Sequence, residues 1–116
     1  MKFYFYYGVM GSSKTANALM KKFNFEECGK KVLLLKPSLD TRHGKTLIKS
    51  RIGLSTEAIY LDKNESISST IENFLPCDVI IVDEAQFMST SQVDELRNLA
   101  DKGIMVMCYG IRTDYT

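Results

Sequence analysis

Two groups of residues in this 116-residue chain have the types and spacing for polyphosphate chemistry. The first is Gly8-Val9-Met10-Gly11-Ser12-Ser13-Lys14-Thr15. It matches the pattern G-x-x-x-x-G-K-[ST] at every fixed position except the second glycine, where Ser13 stands. The chemistry follows from the backbone. N–H groups at a helix start have no intrahelical partner, and the helix dipole adds partial positive charge there. Gly8 and Gly11 let the chain wrap closely around a phosphate. Lys14 then reaches the β- and γ-phosphates, and the Thr15 hydroxyl is placed for Mg²⁺. Ser13 fits beside the phosphates only if its φ stays negative. The plain alternative is a glycine- and serine-rich turn with a solvated lysine.

The second group is Asp78-Val79-Ile80-Ile81-Val82-Asp83-Glu84-Ala85-Gln86-Phe87. A hydrophobic strand ending in an acid is how phosphate-loop proteins hold Mg²⁺ through water, which makes Asp83 a metal candidate beside Thr15. Glu84, one residue later, is placed to take a proton from an attacking hydroxyl or water. Taken alone, Asp83-Glu84 also reads as an ordinary helix-capping pair. The lysine of the first group about 70 residues upstream makes the catalytic reading the better one. The expectation is that a neighbouring parallel strand carries the phosphate loop beside Asp83.

These groups need a frame, and the chain supplies alternating elements. Lys2 to Tyr7 reads as a buried central strand, rich in Phe and Tyr and ending at Gly8. Lys14 to Glu27 reads as a helix with Ala16, Leu19, Met20 and Phe23 facing the core, and with Cys28-Gly29 as its stop. Lys31 to Lys36 is a strand buried on both faces and ended by Pro37. Ser38 to Thr56 is polar and reads as a loop with one short element at Thr46 to Ile52. Glu57 to Leu61 is a brief strand. A helix from Asn64 to Phe74 is capped by Asn64 or Ser66 and closed by Pro76. Asp78 to Val82 is a second fully buried strand. Ser89 or Ser91 caps a helix through Val93, Leu96, Leu99 and Ala100 to Gly103. Ile104 to Tyr109 is the last strand. Four main strands alternating with three helices predict an α/β fold with a mostly parallel sheet. Ligands belong at the C-terminal ends of its strands.

Composition narrows the function classes. Fifteen basic and fourteen acidic residues give a net charge of +1, so nothing draws the whole chain to nucleic acid or an anionic membrane. Hydrophobic residues at 45% and charged residues at 25% exclude disorder. Apolar runs such as Val32 to Leu35 are far short of the ~20 residues of a membrane span. Cys28, Cys77 and Cys108 have neither disulfide nor zinc-ligand spacing, and the single His43 lacks metal-binding partners. With no export leader recognisable, a reducing, cytoplasmic setting is expected.

The ordered set of these segments resembles the thymidine kinase family of the cytosolic, zinc-containing type, its bacterial members above all. The segments are the phosphate loop with Met10 inside it, Lys36-Pro37-Ser38-Leu39-Asp40-Thr41-Arg42, Ser50-Arg51-Ile52-Gly53, Asp83-Glu84-Ala85-Gln86-Phe87, and Tyr109-Gly110-Ile111-Arg112-Thr113-Asp114-Tyr115. The resemblance implies a phosphate-loop, RecA-like sheet flanked by helices. It also implies transfer of the ATP γ-phosphate to the 5′-hydroxyl of thymidine or deoxyuridine, feedback inhibition by dTTP, and a homotetramer. Carried over by position, Gly8, Gly11, Ser12, Ser13, Lys14 and Thr15 bind ATP and Mg²⁺. Asp83 belongs to the magnesium site and Glu84 is the general base. Asp40 and Arg42 hold phosphate and the reacting hydroxyl, and Gln86, Phe87 and Met10 line the nucleoside side.

On generic grounds alone, Asp40 and Arg42 read equally as a solvated turn, and Met10 and Phe87 as core fillers. Family members continue further, with a last strand, a zinc-bound lobe and a loop that grips the base. Residues 1–116 are therefore expected to form one phosphate-loop domain without that lobe and without a zinc site. The sheet is expected to be uncovered beside Ile104 to Tyr109. A non-catalytic nucleotide-binding or assembly module and a phosphate-loop ATPase of another class are the alternatives.

Overall fold

The computed structural model describes residues 2–7, 12–37, 45–49, 55–62 and 65–110; for 7, 12–16, 45–49 and 55–57 it describes the backbone course alone. The elements run β1 (Phe3–Tyr7), α1 (Ser12–Glu27), β2 (Val32–Pro37), β3 (Lys45–Lys49), β4 (Ser55–Leu61), α2 (Ile67–Ile71), β5 (Val79–Val82), α3 (Thr90–Asp101) and β6 (Met105–Gly110). Short 3₁₀ turns lie at Glu72–Phe74 and Ala85–Phe87. They form one six-stranded sheet in the order β1-β6-β5-β2-β4-β3. Five strands are parallel, and β3 pairs antiparallel to β4. This is the mostly parallel α/β sheet expected from the alternation, with Lys45–Lys49 as the short element in the polar stretch.

Alternation along each central strand builds two core layers. In β5, Ile80 and Val82 face one side while Val79 and Ile81 face the other. The first side is closed by Ile67 and Ile71 of α2 and by Leu96, Leu99 and Ala100 of α3. The second is closed by Ala18 and Leu19 of α1. All four β5 residues are buried, so the unbroken run Val79-Ile80-Ile81-Val82 is what a strand covered on both faces requires.

The helices start where their caps dictate. Ser66 is the N-cap of α2 and accepts from Ser69 N–H. Ser89 caps α3 in a reciprocal box: its hydroxyl accepts from Gln92 N–H at 3.3 Å, and the Gln92 side chain accepts from Ser89 N–H at 3.1 Å. The other cap candidate for α2, Asn64, lies outside the described residues.

Four expectations need correction. β1 is not central: among the described residues it pairs with β6 alone, and Tyr4 and Tyr6 are 42% and 41% exposed. Among the described residues β1 and β3 are the terminal strands, so the edge on this side lies along β1, and β6 is flanked by β1 and β5. The phosphate-loop strand and the acid-bearing strand are not neighbours, since β6 separates them. Met20 does not face the core, being 48% exposed. Strand order is set by how crossovers pack, which residue type in β1 does not encode.

Candidate functional site

The parallel register fixes which residues share the C-terminal end of the sheet. Val82 is level with Cys108, and Cys108 with Phe5. Beyond that level β6 runs on beside β1, Tyr109 paired with Tyr6 and Gly110 with Tyr7, while Asp83 and Glu84 leave the end of β5. β1 therefore delivers the chain toward Gly8 two strand spacings, about 10 Å, from the line of β5. The acidic pair and the β1–α1 junction lie at the same end of the sheet, the end where open parallel sheets bind ligands.

Asp83 is held firmly. It is 1% exposed, and its N–H donates to Leu35 O at 2.9 Å, so the β2–β5 ladder continues one residue past the strand. Its Oδ1 accepts from Glu84 N–H at 3.0 Å. Glu84 is half-buried with φ 59° and ψ 42°, the left-handed conformation. Among the described residues it is the one non-glycine with positive φ, an arrangement that costs about 1–2 kcal/mol. That bend turns the chain sharply off the sheet into the 3₁₀ turn, closed by Phe87 N–H to Glu84 O and Met88 N–H to Ala85 O, both 3.1 Å. Ala85 is buried, while Gln86 and Phe87 are half-buried on that turn. Strain of this kind persists where the surroundings overdetermine it, and it gathers at working sites.

The turn does not stand clear of the sheet but folds over the end of β6. A β-carbon built on Gly110 would lie 2.9 Å from Gln86 Oε1, 3.2 Å from Gln86 N and 3.5 Å from Ala85 Cβ. Gly110 was not among the expected site residues. The available signal was a glycine ending an apolar strand, which marks a close backbone approach.

The first group of residues is described in part. Ser12, Ser13, Lys14 and Thr15 form the opening of α1, so Ser13 has the negative φ of helical backbone that its β-carbon requires. Gly8, Met10, Gly11, Asp40 and Arg42 lie outside the described residues. The structure thus brings together Asp83, Glu84, Gln86 and Phe87, and places the start of α1 after β1, at the same end of the sheet. A separate pocket of about 310 Å³, lined by Tyr6, Asn17, Met20, Lys21, Asn24 and Tyr109, lies on the α1 side and includes none of the expected site residues.

Among the described residues, no group of three His, Cys, Asp or Glu side chains forms a metal cage. A magnesium ion on polyphosphate needs less from the protein: one hydroxyl, one carboxylate acting through water, and phosphate oxygens. A buried Asp83 at the strand end, with Thr15 on the first turn of α1, fits that donor set. The thiols do not compete: burial pushes Cys108 up to about 12 and also raises Cys77. No described helix is long and apolar enough to cross a membrane.

Comparison with known proteins gives one consistent result. The family model for thymidine kinase matches residues 1–116. A thymidine kinase of Zymomonas mobilis is 42% identical across 98% of this chain and 61% of its own length. Thymidine kinases of Shewanella oneidensis and Xanthomonas campestris are 38% and 39% identical, across 97% and 98% of this chain and 60% and 57% of theirs. The chain spans about three-fifths of the curated relatives it matches.

Proposed function

Because the chain belongs to the thymidine kinase family, we propose that it is the phosphate-handling part of a kinase that moves the ATP γ-phosphate onto the 5′-hydroxyl of thymidine or deoxyuridine. The observation that carries this reading is the buried Asp83 followed by the left-handed Glu84, at the same sheet end as the β1–α1 junction.

In this reading the backbone N–H groups opening α1 and the Lys14 ammonium neutralise the β- and γ-phosphates. Gly8, Gly11, Ser12 and Ser13 let the chain follow the phosphate tail. Thr15 and Asp83 would hold Mg²⁺, directly or through water, and the ion would offset charge on the transferring phosphoryl group. Glu84 accepts the proton of the 5′-hydroxyl as that oxygen attacks. The backbone bend at Glu84 suits the role, because it fixes where the carboxylate leaves the sheet. Asp40 and Arg42 steady the phosphate and the hydroxyl, while Met10, Gln86 and Phe87 face the nucleoside. Inhibition by dTTP, a homotetramer and a cytoplasmic location complete the proposal, with no zinc role for the three cysteines.

The test is transfer from γ-labelled ATP to thymidine, with single-stranded DNA as the competing cofactor for a motor-type ATPase. Lys14→Ala abolishes ATP binding. Glu84→Gln spares binding and lowers turnover by about 10²–10⁴, the usual worth of a positioned base. Unaltered ATP affinity in Lys14→Ala would sink the phosphate-loop reading. Tight Mg²⁺–ATP binding with no transfer to any nucleoside would leave a nucleotide-binding module in its place.

A further inference from the structure

The acidic turn and the phosphate-loop strand reach the same sheet end from strands that do not touch, so something must set the gap between them. The intervening strand is β6, and its last residue there is Gly110. Gly110 is buried and in register with Tyr7, the residue just before Gly8. On its other side it lies under Gln86 and Ala85 of the acidic turn. Its φ is not in the left-handed region, where the positive-φ glycines are Gly29 and Gly103. Backbone conformation therefore does not demand glycine at 110, but space does. A β-carbon would come within 2.9 Å of Gln86 Oε1 and 3.2 Å of the Gln86 main-chain nitrogen. The amide oxygen can swing away at little cost. The nitrogen cannot move without the 3₁₀ turn, which the bonds from Phe87 N–H to Glu84 O and Met88 N–H to Ala85 O close on itself.

We propose that Gly110 is a positioning residue: its bare α-carbon is the seat on which Gln86 rests, and it sets the height of the turn that follows Asp83 and Glu84 against the end of β1. The role rests on the reading of that turn as the magnesium and base end of a kinase site. A β-carbon at 110 requires the turn to give by a few tenths of an ångström, with β1, α1 and the sheet left in place.

The experiment compares the chain with Gly110→Ala, Gln86→Ala and the double variant. Residue-resolved hydrogen exchange follows the amides of Asp83, Glu84, Phe87 and Met88. Affinity for a fluorescent ATP analogue is measured with Mg²⁺ and with EDTA. Gly110→Ala is expected to speed exchange of the Phe87 and Met88 amides about tenfold, with β2 and β5 amides unchanged, as overpacking confined to the turn requires. Metal-free nucleotide affinity stays as it was, and the gain on adding Mg²⁺ shrinks about fivefold, a partial loss of one carboxylate's placement. Removing the Gln86 side chain takes away the flexible contact but leaves the main-chain nitrogen at 3.2 Å, so the double variant is expected to keep exchange at Phe87 and Met88 about fivefold faster than Gln86→Ala alone.

Unchanged exchange in Gly110→Ala, exchange raised equally across the sheet, or full relief in the double variant would each overturn the proposal. An intact Mg²⁺ gain in Gly110→Ala would do the same. If the unaltered chain binds no nucleotide, the kinase reading fails, and the positioning role falls with it. The exchange data then still separate a steric seat at 110 from none.

Discussion

Gln92 is a buried polar side chain with three hydrogen bonds close to the candidate site. It is 1% exposed. Its Nε2 donates to Asp62 O at 2.7 Å and Glu65 O at 2.9 Å, and its Oε1 accepts from Ser89 N–H. One amide thus ties the exit of β4 to the start of α3, directly after the acidic turn. Replacing it with leucine keeps the volume and removes all three bonds. At about 1 kcal/mol each, with partners left in a buried setting, the loss is about 3 kcal/mol. An unfolding entropy of about 2.1 cal/mol/K per residue makes that about 12 °C in Tm for a chain of this size. Urea titration followed by circular dichroism measures it, with the midpoint falling at unchanged slope. Gln92→Glu gives an independent check, because it removes both donors and faces two carbonyl oxygens with a carboxylate. That carboxyl titrates above the usual range in the folded state, so stability returns as pH falls through its folded-state pKa and the proton restores one donor. A Gln92→Leu protein within about 1 kcal/mol of the parent would refute the reasoning, since three bonds worth that little would mean solvent already serves those groups.

Other expectations follow from the same geometry. Burial alone would raise the Glu95 carboxyl, but bonds from the Ser66 hydroxyl (2.6 Å), Ile67 N–H (2.9 Å) and Ser68 N–H (3.2 Å) hold it below the ordinary glutamate value. A depressed folded-state pKa means its contribution is full above the unfolded value of about 4.3 and is lost as pH falls through the lower folded value. Glu95→Gln should therefore flatten that acid limb of the stability curve, and an unaltered limb would count against it. Thiol labelling should proceed in the order Cys28, Cys77, Cys108. Cys28 is exposed, Cys77 half-buried and raised, and Cys108 buried with its pKa near 12, so Cys108 should react only on unfolding. Fast labelling of Cys108 in the folded chain would contradict its place between Val82 and Phe5.

The parts of this fold that could be read from the chain are those where local pattern and burial agree. Leu33-Leu34-Leu35 and Val79-Ile80-Ile81-Val82 are apolar on both faces, and both become inner strands. Ser89 with Gln92 three residues on is a capping signature, and the box forms. Met20 went astray because α1 turns Ala18 and Leu19 onto the sheet, and Met20, one step further round the helix than Leu19, falls outside that face. The edge position of β1 is invisible in its own residues, since Phe3 and Phe5 pack on the core while Tyr4 and Tyr6 lie open. At the candidate site the acidic pair and its strand were legible. The left-handed bend at Glu84 and the close approach of Gln86 to Gly110 were not, because each depends on which strand lies next to which. The reach of Glu95 across to the α2 cap, 27 to 29 residues away, is equally a product of tertiary packing.

The placement of β1 has a bearing on the order in which the protein takes shape. Among the described residues its only ladder is with β6, so residues 3–7 find their hydrogen-bonding partner about a hundred positions later in the chain. A nascent polypeptide can assemble β2, β4 and β5 while the tyrosine-rich opening segment still waits for a mate. At about 5–20 residues per second, that interval is several seconds or more, with an unpaired aromatic strand exposed throughout. Closing so wide a span is entropically slow but rises only with the logarithm of its length, so the docking is late rather than forbidden. The β1–α1 junction, the phosphate loop of the proposed function, is then fixed later than β2, β4 and β5, and a chain ended before Gly110 would lack part of the ladder that holds β1 in the described sheet.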